Sequence, residues 1–122
     1  MCSSDLTVQA LRERLPASAQ LQAWLGPCIG PLAFEVGPEV PREFQANGFD
    51  TEAFVRAHVD RPGKWLMSLA GLAHQRLAQL GVRHVAGNDG SEAWCTVGDA
   101  TRWFSHRRDR VSGRLAALVW RV

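Results

Sequence analysis

A chain of 122 residues, 46% hydrophobic and 21% charged, is long enough for one folded domain and too apolar to be disordered. A body of this size buries roughly two-thirds of the surface its unfolded chain exposes. The formal charge of +2 is too small to demand a polyanionic partner, no apolar run approaches the ~20 residues of a membrane span, and no signal peptide is legible at the N-terminus.

The segment DLTVQALRERLP predicts a short helix, with Asp5 or Thr7 as its cap, Val8, Leu11 and Leu15 on one stripe, and Pro16 as its stop. LQAWLG then alternates, with Leu21, Ala23 and Leu25 on one face, and predicts a strand running into the turn GPCIGP. That turn has two glycines but lacks the Lys-Ser/Thr ending of a phosphate loop, so it reads as a tight connection. LAFEVG predicts a second short strand with Phe34 and Val36 opposite Glu35. A Glu35 facing the core would need a partner, and the simpler expectation is that it faces solvent. PEVPREFQANG predicts a short helix stopped at Asn47-Gly48.

GKWLMSLAGLAHQRLAQLG carries the clearest periodicity. Leu66, Leu69, Ala73, Leu77 and Leu80 recur at helical spacing, Trp65 and Leu72 widen the stripe, Gly81 ends it, and His74, Gln75 and Gln79 fall on the wet side. VRHVAG and AWCTVG read as strands. The tail GRLAALVWRV fits a strand better than a helix turn, given Val119, Trp120, Val122 and the glycine before it. The pattern mixes helices with short strands and is not a clean βαβ series, so it does not imply a doubly wound sheet.

The chemistry-bearing residues are few. The three cysteines Cys2, Cys28 and Cys95 are odd in number and far apart, which fits a reducing, cytoplasmic compartment and argues against a disulfide framework. Cys28 and Cys95 lie in apolar surroundings and read as structural thiols. No two of His58, His74, His84 and His106 stand at the spacing that points two metal ligands from one helix face.

TRWFSHRRDR is different. Five arginines and a single acid, Asp109, fall between Arg102 and Arg114. Guanidinium groups offer a planar fork of donors matched to phosphate or carboxylate oxygens. Read as a strand, the segment puts Ser105 and Arg107 on one face and Arg108 on the other, with Asp109 able to pin one arginine. A solvated basic hairpin, a wall of an anion site and a nucleic-acid patch all remain open on spacing. The near-neutral remainder of the chain argues against the patch.

Three stretches together narrow this: AWLGPCIGPLAFEVGPEV, GKWLMSLAGLAHQRLAQLGV and WCTVGDATRWFSHRRDRVSGRLAALVW. They resemble, in order, the C-terminal half of the YfiH-like laccase-domain family, first described as multicopper polyphenol oxidoreductases and now regarded as purine nucleoside phosphorylases with adenosine deaminase activity. CTVGDATRWFSHRRDRVSGR is the most specific part, with His106 standing where tyrosine is usual. The resemblance implies an α+β fold of mixed β-sheets flanked by helices, of which this chain holds the C-terminal portion. It implies purine nucleoside and phosphate as substrates, zinc as the cofactor of a family-length protein (copper in the older description), and Ser105, Arg107, Arg108 and Arg114 near the anion.

The same resemblance places the family's metal ligands, two histidines and a cysteine, in an N-terminal half that includes a motif like H-A-G-W-R-G. Nothing here matches it, and none of His58, His74, His84, Cys28 or Cys95 falls at a metal-ligand position, so no metal and no catalytic residue carries over to this chain. Residues 1–6, MCSSDL, do not resemble the family and match one reading frame of a common sequencing-adapter end. They are expected to be a non-native leader to a C-terminal portion spanning residues 7–122. Uncovering even ~500 Å² of apolar surface would forfeit about 12 kcal/mol, against a typical domain stability of roughly 5–15 kcal/mol. The isolated chain is therefore expected to be poorly soluble or molten and inactive, docking onto a separately supplied N-terminal half if at all. The alternative is a freestanding module that binds nucleotides or nucleic acid through the Arg102–Arg114 loop.

Overall fold

The computed structural model describes residues 3–118. The chain is α+β, as the resemblance implies. Helix α1 (Ser3–Arg14) leads into strand β1 (Gln22–Leu25), followed by β2 (Glu35–Val36), α2 (Glu39–Ala46), β3 (Val55–Ala57), β4 (Trp65–Met67), α3 (Leu69–Gln79) and β5 (His84–Gly87). A short 3-10 turn (Glu92–Trp94) and the one-turn helix α4 (His106–Asp109) complete the described elements. Among the described residues no helix is long and apolar enough to cross a membrane.

Two small sheets share α3. β1 and β5 pair in parallel, Gln22 opposite His84 through Leu25 opposite Gly87. β4 is the centre of an antiparallel sheet, flanked by β2 and β3. Leu72 and Leu77 are five positions apart, about 140° around a helix turning ~100° per residue. That rotation sends Leu77 into a cluster with Val8 and Val82 against β1 and β5. It sends Leu72 into another with Val36 and Met67, walled by Phe34, Phe44, Phe49, Phe54 and Trp65. Gly71 on α3 is required there, because a Cβ would run into the Phe54 ring.

The helix predicted from Trp65 begins later. Trp65–Met67 pairs on both sides as a central strand, and Ser68 marks the boundary by accepting the Gly71 N–H at 3.1 Å as the N-cap of α3. The His74, Gln75 and Gln79 side is not simply wet. His74 meets the Asn88 carbonyl at 3.0 Å, and Gln75 exchanges two hydrogen bonds with Asp50. Helix α1 starts before its expected caps. Asp5 is inside it, 4% exposed, and its carboxylate accepts two hydrogen bonds from Arg76 at 2.7 Å, locking α1 to α3.

Glu35 lies neither free in solvent nor in the core. Its carboxylate accepts two bonds from Arg61, at 2.9 and 3.0 Å, with His58 at 3.6 Å. The strand expected at AWCTVG is absent apart from one parallel bridge between Cys28 and Cys95. The carbonyls that a neighbouring strand would have used, those of Thr96 and Val97, instead accept from Arg108. Gly113–Leu118 forms no strand, and the rest of the strand expected in the tail, residues 119–122, lies outside the described residues.

Candidate functional site

The arginine loop is built around a helical turn, which corrects the extended reading. Asp99 starts it, its carboxylate accepting from the Thr101 N–H at 2.9 Å and the Thr101 hydroxyl at 2.6 Å. Ser105, 5% exposed and extended, then caps α4, its hydroxyl accepting the Arg108 N–H at 3.3 Å. α4 ends at Arg110, whose φ of 63° and ψ of −52° form a strained γ-turn closed by the Val111 N–H to the Asp109 carbonyl at 2.7 Å. This kink turns the chain from α4 into the tail.

Arg108 uses all five of its N–H donors within this loop. Nε and Nη2 reach the two oxygens of Asp109 at 2.7 Å. Nη1 donates to the carbonyls of Thr96 and Val97 at 3.0 and 3.1 Å, and Nη2 also to that of Trp103 at 3.0 Å. The guanidinium holds the Asp109 carboxyl below its usual range, and the same bonds raise the Arg108 pKa. Arg108 is thus the pin that ties α4 to the 96–97 and 103 backbone.

Arg107, one position earlier on the turn, projects elsewhere. It is exposed, lies 5.8 Å from the centroid of the Phe34 ring, and spends one Nη1 donor on the Glu35 carbonyl at 3.1 Å. Its remaining donors have no partner among the described residues. Arg114 is exposed in the tail with no hydrogen bond among the described residues. Arg102 stacks on Trp103 at 4.9 Å, and the buried indole N–H of Trp103 has no hydrogen-bond partner among the described residues. The four candidates therefore divide. Ser105 and Arg108 are occupied with holding the loop, whereas Arg107 and Arg114 have donors to offer.

An apolar cavity of about 420 Å³ opens beside this loop, lined by Gly30, Pro31, Leu32, Ala33, Gly90, Glu92, Cys95, Val97 and Gly98. Val97 belongs both to this lining and to the Arg108 anchor. A larger hollow of about 590 Å³ lies by α2, between Pro38 and Trp65, and touches none of the arginines of the loop.

Asn88, which the sequence reading passed over, is the buried organiser behind the cavity. It is 2% exposed and donates from Nδ2 to the Gly26 carbonyl at 3.0 Å and to the Cys28 sulfur at 3.3 Å. Its Oδ1 accepts the Gly90 N–H at 2.8 Å. The only hint was an Asn in a turn after a strand, where its short amide can satisfy backbone. Cys95 is buried and Cys28 half-buried, both as free thiols. Burial pushes the Cys28 thiol up, with Asn88 pulling the other way and Cys95 adding to the rise. Gly30 donates its N–H to the Cys95 sulfur at 3.2 Å, and a Cβ on Gly30 would lie 2.9 Å from that sulfur.

Among the described residues, no three His, Cys, Asp or Glu side chains gather where they could hold a metal ion.

Comparison with known proteins gives a consistent answer. Residues 4–122 match the family described as multi-copper polyphenol oxidoreductase laccase. A purine nucleoside phosphorylase of Xylella fastidiosa strain 9a5c is 46% identical over 114 residues, covering 93% of this chain and 41% of its own length. The purine nucleoside phosphorylase YfiH of Escherichia coli K12 is 43% identical over 100 residues, 82% of this chain and 38% of its own. A crystal structure of a Neisseria meningitidis protein of the DUF152 family superposes with a TM-score of 0.50 at 29% identity, covering 84% of this chain and 42% of that one. The chain spans about two-fifths the length of the curated relatives it matches.

Proposed function

The chain belongs to the multi-copper polyphenol oxidoreductase laccase family, and from that premise we propose that it is the C-terminal part of a purine nucleoside phosphorylase. Its arginine loop is one wall of the substrate site, and the opposite wall belongs to the remainder of a family-length body. In phosphorolysis, a phosphate oxygen attacks the ribose C1′ while the bond from C1′ to the purine nitrogen breaks, and the base leaves with that electron pair. The wall proposed here binds and orients the phosphate. Arg107 and Arg114 supply the guanidinium donors, lowering the entropic cost of bringing a dianion to the sugar and offsetting its charge. Ser105 and Arg108 position rather than bind.

The observation that carries this reading is the Arg108 anchor. Five donors spent on three carbonyls and a carboxylate fix α4, so Arg107 is presented by a pre-formed turn instead of a floppy loop. Zinc, or the copper of the older description, belongs to the family-length reading. Because no fitting donor set occurs among the described residues, no step is assigned to a metal here. Adenosine deamination and a cytoplasmic setting belong to the same proposal, with no residue of this chain given a part in the deamination.

The test is complementation. Mixed with the N-terminal part of a family relative, the chain is expected to gain inosine phosphorolysis that neither part shows alone. Arg107→Ala and Arg114→Ala each remove charge-assisted bonds of about 1.5–3 kcal/mol. Each should raise KM for phosphate roughly 10- to 100-fold with the KM for nucleoside little changed. A mixture that assembles but never turns over, or arginine variants with unaltered phosphate KM, would refute the assignment.

A further inference from the structure

Cys28 and Cys95 were read as inert structural thiols, yet the fold sets them face to face. They are the paired residues of the parallel bridge, held by the Thr96 N–H to the Cys28 carbonyl at 2.9 Å and the Cys28 N–H to the Trp94 carbonyl at 3.3 Å. Bridged neighbours stand about 4.8 Å apart and share a face, inside the ~4.4–6.8 Å Cα window of a disulfide. Each sulfur also receives an amide donor, Gly30 N–H for Cys95 and Asn88 Nδ2 for Cys28. At Cys28 the Asn88 donor opposes the rise that burial imposes on the thiol. Cys95 lines the apolar cavity, and Cys28 is half-buried, so a small uncharged oxidant has a route to the pair.

We propose that Cys28 and Cys95 are a reversible redox site, closing to an intramolecular disulfide on reaction with a hydroperoxide. The Cys28 thiolate attacks the terminal peroxide oxygen, the O–O bond breaks, and the alkoxide leaves as alcohol after taking a proton, giving a sulfenic acid at Cys28. The Cys95 thiolate then attacks the Cys28 sulfur, forming the S–S bond as hydroxide departs and is protonated to water. Two thiols lose two protons and two electrons, and one hydroperoxide becomes one alcohol and one water. Burial raises the Cys28 pKa, so the reaction runs through the thiolate fraction that remains.

The disulfide would change the site's wall. It would tie the 26–31 turn covalently to the segment whose carbonyls, at Thr96 and Val97, anchor Arg108. It would also draw the Cys95 sulfur away from the Gly30 N–H at the cavity floor. The proposal stands on the bridge geometry and does not depend on the activity of the parent body.

The experiment treats the full chain with tert-butyl hydroperoxide, blocks remaining thiols, and maps the peptides by mass spectrometry, natively and in urea. Pairing with Cys2 serves as the internal reference. The expected native product is a Cys28–Cys95 cross-link reversed by dithiothreitol, at least tenfold over any pairing with Cys2, and this preference should collapse in urea. Cys95→Ser should leave a sulfenic acid at Cys28 that dimedone captures, and Cys2→Ser should change nothing. A native pattern equal to the urea pattern, dominant pairing through Cys2, or over-oxidation of Cys28 with Cys95 still free would each overturn the proposal.

Discussion

The exposed apolar tail gives the most demanding prediction. Among the described residues, ten large hydrophobic side chains are exposed while eight hydrophobic residues are buried. Four of the exposed ones follow the arginine loop or lie in it: Phe104 at 54%, Val111 at 91%, Leu115 at 46% and Leu118 at 82%. Together they amount to nearly three fully solvated side chains. At about 2 kcal/mol per buried side chain, covering them is worth about 5 kcal/mol. The perturbation is the pair Val111→Asp with Leu118→Asp, which removes the two most exposed of these. It should cut affinity for the N-terminal part of a family relative by about 3 kcal/mol, roughly a hundredfold or more in Kd. The same pair should make the lone chain more soluble and reduce its binding of an apolar fluorescent dye. Titration calorimetry and dye fluorescence read the two effects. Unchanged affinity in the charged variant would refute the reasoning. So would a wild-type chain that is monomeric, dye-silent and melts in one sharp transition on its own.

Four further outcomes follow from the geometry. Arg76→Met removes the guanidinium that holds Asp5 and should cost about 3 kcal/mol in urea unfolding, the low end for a buried pair because Arg76 keeps 21% side-chain exposure. Adding Asp5→Leu should recover part of that loss, and strict additivity in the double-mutant cycle would argue against coupling. Gly71→Ala should destabilise α3 despite alanine's better helix propensity, because its methyl meets Phe54, and a raised melting temperature would contradict that packing. Arg108→Lys offers one ammonium where five fixed donors were used, so amide exchange at Thr101–Arg110 should quicken with little change in α3. The pH dependence has a definite sign. Asp109's folded pKa is depressed by Arg108, so its contribution is present above the ordinary carboxylate range and lost as pH falls through the depressed value. Acid loosening of the loop should start at higher pH in Arg108→Lys, and an identical midpoint would count against the pairing.

What the sequence made legible is local in character. Val8, Leu77 and Asn47-Gly48 announce α1, α3 and the stop of α2, because periodicity and caps act over one or two turns. Trp65–Met67 was misread since an apolar run adjoining a helical stripe looks continuous, and only Ser68 together with strand partners at Glu35 and Val55 breaks it. The site was legible by composition and wrong in conformation. Five arginines marked the loop, but a strand reading paired Ser105 with Arg107, whereas the Ser105 cap winds a helical turn and spends its hydroxyl on Arg108. Which arginine is free is a long-range property: it depends on the Thr96, Val97 and Trp103 carbonyls converging on one guanidinium. Asn88 and the Cys28–Cys95 bridge were invisible for the same reason, their partners lying some sixty residues away.

The β1–β5 sheet extends this point to the body as a whole. Parallel strands are characteristically covered on both faces. Here Leu21, Ala23, Leu25 and Val85 pack on α1 and α3, while Trp24 on the opposite face is 54% exposed and meets Trp94 edge-on at 6.1 Å. A two-stranded parallel ribbon also leaves both outer edges open, which natural sheets pair or cover. Trp24 and the exposed side chains of Phe104, Val111, Leu115 and Leu118 lie far apart in sequence. If the proposed complement covers both, Trp24→Ala should weaken association independently of the tail substitutions. Losses that add within ~0.5 kcal/mol would indicate two distinct contact areas. A Trp24 variant that binds as well as wild type would restrict the docking surface to the tail.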